Sequence, residues 1–235
     1  PVMQQIAAEN YLPETAFFIP AGTSGHYELR WFTPEIEMDL CGHATLASAH
    51  VLFNHMGWDM HRITFHTQSG ELVVSKNNDL LVLDFPSRPA VAASLPPEIF
   101  KGIGAYPMEV LKARDYLLLF HDEDIVRNLQ PDKAMLNRIN LDPGGIIVTA
   151  KGKDVDFVSR FFTPQASIFE DPVTGSAHCT LIPFWSMQVD KKEMVALQVS
   201  HRTGKLYCKD AGERVMIGGK CKTYPEGNIF VATDR

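Results

Sequence analysis

Hydrophobic and polar residues alternate through ITFHTQSGELVVSK (63–76) and again through ALQVSHRTGKLYCK (196–209), each around a central glycine. A period of two marks half-buried strands, and a glycine between two such runs marks a hairpin. Apolar runs predict further strands at TAFFIP (15–20), YELRWF (27–32), IIVTA (146–150) and DFVSRFF (156–162), and the run VLKARDYLLLF (110–120) ends in another, YLLLF. Helical spacing is found in VMQQIAAEN (2–10) and DIVRNLQPDKAMLNRI (124–139). Two more apolar stretches, TLASAHVLFNHMG (45–57) and HCTLIPFWSMQV (178–189), also read as helices. In the first of these, Leu46, Ala47, Ala49, Val51, Leu52 and Phe53 cover most faces, which predicts a helix buried on all sides. A curved sheet wrapped about a central helix would bury it.

These elements occur twice. Arg30-Trp31-Phe32-Thr33-Pro34 returns as Arg160-Phe161-Phe162-Thr163-Pro164, 130 residues later. Each copy leads through a loop to a glycine turn, Gly42-His43-Ala44 or Gly175-Ser176-Ala177, the second loop being three residues longer. Each turn is followed by an apolar helical stretch and then by one of the alternating hairpins. Three matches in one order imply a duplicated unit. The fold class expected is α+β, with two pseudo-symmetric domains, each a mostly antiparallel, barrel-like sheet around a central helix. The first domain spans 1–97 and the second 107–235. Residues 98–106 link them, within the Pro-, Ala- and Gly-rich stretch 87–107 that lacks periodicity. The strand YLLLF has no counterpart in the first half, and no Met begins the chain. A strand missing before Pro1, through N-terminal truncation, is therefore expected.

Composition narrows the function classes. Of 235 residues, 45% are hydrophobic and 21% charged, an ordinary globular mixture. The net charge of −6 argues against nucleic acid and anionic membranes as partners, because both need a basic patch. No apolar run approaches the length of a membrane span, and no secretory leader is visible. Cys41, Cys179, Cys208 and Cys221 form no CxxC pair, so no structural metal site is expected. Reduced thiols in the cytoplasm are the default reading.

The two glycine turns carry the candidate chemistry. A helix N-terminus exposes unpaired N–H groups and a partial positive charge, and glycine lets a ligand come close to them. Two such ends facing one cleft would hold a small carboxylate. Ordinary capping by Thr174 and Ser176 is the plainer reading of either turn taken alone. Cys41 and His43 flank Gly42, but adjacent residues do not make a catalytic pair by spacing alone. Asp171, Glu170, Asp39 and Glu14 are the ionisable candidates beside the turns. A carboxyl facing a closed cleft could serve as acid or base.

At these residues the sequence resembles the PhzF family of phenazine-biosynthesis-like isomerases and epimerases. The matching stretches are Ala7-Ala8-Glu9-Asn10 with Glu14-Thr15, Leu29 to Pro34, Asp39-Leu40-Cys41-Gly42-His43-Ala44-Thr45-Leu46, Ala113 to Tyr116, and Glu170 to His178. The resemblance runs over essentially the whole chain. It implies a diaminopimelate epimerase-like fold with the site between the halves, a homodimer, and no metal or organic cofactor. It also implies that a strand and loop are missing at the start. It places the acid/base group on Glu14. Asp171 and His43 complete the catalytic set, and Gly42, Gly175, Ser176 and Cys41 fall at the substrate-binding positions. The reaction implied is a proton shift on a small carboxylate-bearing substrate. One alternative is an epimerase or racemase dependent on Cys41, although the position opposite Cys41 in the second half reads as Pro172. The other is a non-catalytic binding or scaffold protein on the same fold.

Overall fold

The computed structural model describes residues 2–141 and 144–230. The first half runs α1 (Val2–Asn10), β1 (Thr15–Pro20), β2 (His26–Phe32), β3 (Glu37–Met38), α2 (Gly42–Asn54), β4 (Arg62–Thr67), β5 (Gly70–Asn77) and β6 (Leu80–Pro86). The second half begins with β7 (Val91–Ala92), α3 (Pro97–Ile103), β8 (Glu109–Lys112), β9 (Tyr116–Leu119), α4 (Glu123–Asn128) and α5 (Lys133–Leu136). It continues with β10 (Ile146–Lys151), β11 (Phe157–Phe162), α6 (Gly175–Val189), β12 (Glu193–Gln198), β13 (Gly204–Asp210) and β14 (Arg214–Gly219).

The strands form one mixed sheet in the order β1-β2-β4-β5-β6-β14-β13-β12-β11-β10-β9-β8-β7, with β3 beside β2. The duplication is visible in the ladders. In both halves an antiparallel pair (β1·β2, β10·β11) is followed by a parallel one (β2·β4, β11·β12) and two antiparallel ones (β4·β5·β6, β12·β13·β14). The parallel pairs need crossovers, and these are α2 and α6. The halves meet where β6 pairs antiparallel with β14, Leu83 opposite Ile217. The sequence reading has no strand for either of these. Each closes a hairpin with the strand before it, through Asn78 (φ 55°) in the first half and Gly212 (φ 82°) in the second.

β9 lies parallel beside β10. Among the described residues no strand takes the equivalent place beside β1, which is an edge. The segment 98–106, expected to be a linker, holds most of α3, and β7 just before it pairs with β8 of the second half. The single helix expected over 124–139 is two short ones, α4 and α5. Pro131 has no N–H to donate and disfavours a helical Gln130, so the chain turns there. Asp122 and Asp132 restart it as N-caps, accepting from Ile125 N–H at 2.9 Å and Met135 N–H at 3.1 Å.

The strands β10 and β11 are buried on both faces, and their alternation feeds two cores. Ile147, Phe157 and Phe161 point to the main core with Leu181 and Trp185 of α6. Ile146, Val148, Val158 and Phe162 point to a second core with Ile99, Ile103, Val126 and Leu136. The central helices differ. In α6 every residue from Ala177 to Ser186 is buried. Its Pro183 would orphan the carbonyl of Cys179, four residues earlier. The backbone N–H of Arg88, arriving from the strand seam, donates to that carbonyl at 2.9 Å. The helix α2 is not buried on all sides as expected, because Ala47 and Val51 are exposed on one face. An apolar surface residue is ordinary, so hydrophobic coverage overstated burial here.

Candidate active site

The repeated Arg-x-Phe-Thr-Pro is a loop clamp. Arg30 donates twice to the Glu37 carboxylate, both at 2.7 Å, and Arg160 donates to Glu170 at 2.7 and 3.0 Å. Thr33 and Thr163 close the loops by donating backbone N–H to Ile36 O and Phe169 O. Glu37 pairs opposite Phe32, and Glu170 bridges Phe162 in the same way. Glu170 is therefore committed to holding the loop. Each clamped glutamate stands five residues before a helix-starting glycine, so Cys41 corresponds to Thr174 and Asp171 to Met38. This corrects the sequence alignment that set Pro172 opposite Cys41.

The two helix ends touch. A Cβ built on Gly42 would lie 3.0 Å from Gly175 Cα and 3.3 Å from the Phe85 ring, and one on Gly175 would lie 3.1 Å from Gly42 Cα. Only glycine at both positions permits this approach, and it brings two helix N-termini together at the sheet seam. Neither end is capped by a side chain. Cys41 (φ −143°) and Thr174 (φ −109°) are extended N-cap residues whose side chains accept no cap hydrogen bond. The capping expected of Thr174 is absent: its hydroxyl donates to Asp171 Oδ2 at 2.5 Å and accepts from Gln198 Nε2 at 3.1 Å. The first-turn amides are left for a ligand. Gly42→Ala should cost about 1–3 kcal/mol through overpacking and pry the two ends apart. Urea midpoints and anion affinity measured together on the variant check this, and loss of neither would refute the contact.

Glu14 sits at the entrance to β1, after α1 ends with Tyr11 in the left-handed region (φ 49°). Its Oε2 lies 3.0 Å from His43 Nε2, in the first turn of α2. The contact is ionic rather than a well-aligned hydrogen bond, and Oε2 otherwise has no partner. Cys41 Sγ lies 3.8 Å from His43 Nδ1 and 4.0 Å from Nε2. Asp171 faces the same group from the second half, and its Oδ1 is shielded from solvent and unpaired. Its backbone is fixed by its own N–H donating to Phe161 O at 3.1 Å. Gln198 fixes the rest of the loop. Its amide donates to Asp171 O at 2.7 Å, and its carbonyl accepts Thr174 N–H at 2.8 Å. Sequence reasoning missed Gln198, although the signal was there: it shares the buried face of β12 with Met194 and Ala196.

Burial raises the Cys41 pKa, and nearby Glu14 adds to this while His43 opposes it, so the thiol stays protonated. For His43, burial acts downward, but the Cys41 sulfur and the Glu14 carboxylate outweigh it and hold the ring well above 6.5. The Cys41 sulfur pulls His43 upward most, and the Glu14 carboxylate adds to it. Burial also raises Asp171; His43 pulls it down and Glu14 pushes it up.

The structure thus brings Glu14, Cys41, His43 and Asp171 together beside Gly42, Gly175 and Ser176. Asp39 does not join them; it is exposed, 4.0 Å from Arg114. His50 lies about two turns up α2, bonded to Thr223. A cavity of about 220 Å³ continues from the glycine pair, lined by Gly42, His43, Gly175, Lys205, Lys220 and Cys221. Glu14, Cys41 and His43 each offer one metal-ligating atom, all within 4.8 Å of one another.

The profile of the phenazine biosynthesis-like protein family, PhzC-PhzF, matches residues 1–227. The chain belongs to the PhzF family. An uncharacterized isomerase of Pseudomonas aeruginosa is 44% identical over 229 residues, covering 97% of this chain and 87% of that protein. An uncharacterized isomerase of Halalkalibacterium halodurans is also 44% identical, over 97% of this chain and 87% of its own length. The crystal structure of a PhzF-family protein of Enterococcus faecalis is 44% identical and superimposes with a TM-score of 0.92, covering 98% of this chain and 87% of that one. A probable proline racemase of Agrobacterium radiobacter, 10% identical, shares the fold with a TM-score of 0.64 over 98% of this chain and 81% of that one. The α+β architecture expected from the repeat is therefore that of PhzF and epimerase-like proteins, and the chain is a member of an isomerase family. Among the described residues no helix is long and apolar enough to cross a membrane.

Proposed function

We propose that this PhzF-family enzyme is a cofactor-independent isomerase that moves a proton within a small carboxylate-bearing substrate. The observation that carries the reading is the contact of two uncapped helix N-termini, at Gly42 and Gly175, beside the group Glu14, His43 and Asp171. The substrate carboxylate is held by first-turn amides of both helices, Ser176 among them. Glu14 takes a proton from carbon, and the electron pair left behind spreads into the conjugated part of the substrate. The same glutamic acid returns the proton at another carbon. His43, as imidazolium, and the amides stabilise the charge that develops meanwhile. Asp171, with Oδ1 unpaired, accepts a donor from the substrate. The reading includes a cytoplasmic enzyme, consistent with four free cysteines, and the homodimer usual in the family it resembles.

Incubation with a panel of small unsaturated and amino carboxylic acids in D₂O tests it. Deuterium should appear at a substrate carbon, by mass spectrometry or NMR. Exchange into no acid of the panel would favour a binding protein on this fold. The Cys41 epimerase is a second reading, prompted by the 3.8 Å approach of its sulfur to His43. Against it stand the raised thiol pKa and Thr174, not a cysteine, at the opposing helix end. Cys41→Ser should retain measurable exchange; loss as deep as that from removing the Glu14 carboxylate would favour the thiol.

A further inference from the structure

The trio Glu14, Cys41 and His43 holds more chemistry than a one-base proton shift uses. Carboxylate oxygen, thiolate sulfur and imidazole nitrogen are zinc's donor set. With ordinary zinc bond lengths, a tetrahedral site separates sulfur from nitrogen by about 3.5 Å and nitrogen from oxygen by about 3.3 Å. Here His43 Nε2 lies 4.0 Å from Cys41 Sγ and 3.0 Å from Glu14 Oε2. All three donor atoms lie within 4.8 Å of one another, so movements of about an ångström would close the ligand set. Cys41 is the N-cap of α2, His43 lies in its first turn, and Glu14 stands at the entrance of β1. Glu14 Oε2 and Asp171 Oδ1, both shielded, lack hydrogen-bond partners. Three protein ligands leave a fourth coordination position unfilled by the protein.

We propose that Glu14, Cys41 and His43 form an inhibitory site for zinc or a similarly thiophilic divalent cation. The bound ion occupies the carboxylate oxygen that would take the substrate proton, so metal and turnover exclude each other. The thiol proton and the imidazolium proton leave to solvent as the ion binds. Only the inhibition rests on Glu14 being the base; the binding rests on the positions of the three side chains.

Cobalt(II) serves as the spectroscopic probe, added to the purified, reduced full chain. One equivalent should produce a near-ultraviolet sulfur-to-cobalt charge-transfer band, and zinc should displace it. Cys41→Ser should abolish the band, and Cys221→Ser should keep it. His43→Gln should weaken zinc binding by about tenfold or more, read by competition with a chromogenic chelator. Circular dichroism establishes that each variant is folded. No band in the wild type, a band that survives Cys41→Ser, or a band lost only in Cys221→Ser would each overturn the site. With a bound substrate in D₂O, zinc should stop exchange and a chelator should restore it. A normal cobalt band with exchange unaffected by zinc would overturn the inhibition and Glu14 as the base, while leaving the metal site standing.

Discussion

Replacing Glu14 by Gln lowers proton exchange between substrate and solvent by about 10²–10⁴-fold, the usual contribution of a positioned acid/base group. The amide side chain would match the carboxylate in shape and would still sit at the entrance to β1. It cannot accept a proton from carbon at neutral pH, and the substitution removes the anion 3.0 Å from His43 Nε2. His43 then loses one of the two groups, Cys41 being the other, that hold its pKa up against burial, and its pKa falls. Two readouts follow: loss of exchange, and an NMR titration of the His43 ring shifted to lower pH. Substrate affinity should change far less than turnover, because the amides of α2 and α6 are untouched. Unchanged turnover on a substrate that exchanges in the wild type would remove Glu14 from its role.

Acid should weaken the fold through one buried histidine. His178 in α6 is completely buried; its ring donates from Nδ1 to Thr174 O at 2.7 Å, and Nε2 has no partner. Burial lowers its pKa to about 4, against 6.5 for a free imidazole. The folded value is depressed, so the unfolded chain takes up the proton first as pH falls. The stability this neutral ring contributes is complete above pH 6.5 and drains away between 6.5 and 4. From about pH 7 to about pH 4.5 the loss attributable to His178 is roughly 2–3 kcal/mol. His178→Asn keeps a donor for Thr174 O and cannot titrate in this range. The variant should be less stable than the wild type at the higher pH, and the gap should narrow by that amount at the lower. Urea denaturation at the two pH values measures it, and a constant gap would refute the assignment.

The duplication is legible in the sequence because the loop clamp repeats side chain for side chain: Arg30 with Glu37, Arg160 with Glu170. The glycine turns are legible because close backbone approach tolerates one residue type. The site beyond them is legible only by resemblance, since Glu14 lies in a turn with no periodic signal and reaches His43 through the fold. Three features stay hidden for physical reasons. The pairing of β6 with β14 joins strands more than a hundred residues apart, and such a partner leaves no local trace, although each also pairs with its chain neighbour, β5 or β13. The break between α4 and α5 is written in Pro131, but the amphipathic pattern on either side masks it. Gln198 looks like one more polar residue in an alternating run until its parity places it in the core.

The seam between the halves also sets an order of events in synthesis. Pro86 pairs with Arg214 and Leu81 with Gly219, so β6, already paired with β5, finds its second partner only after the second half has been made. Until then its outer edge is open, and the apolar residues Leu81, Leu83 and Phe85 lack the neighbours that β14 brings. Such long-range pairing slows folding, and an unpaired hydrophobic edge is prone to intermolecular pairing. The nascent first half thus exposes an edge that the finished fold covers. The strand that covers this edge also lines the cavity beside Gly42 and Gly175, through Ile217, Gly218 and Gly219, so the seam closes and the site is completed in the same step.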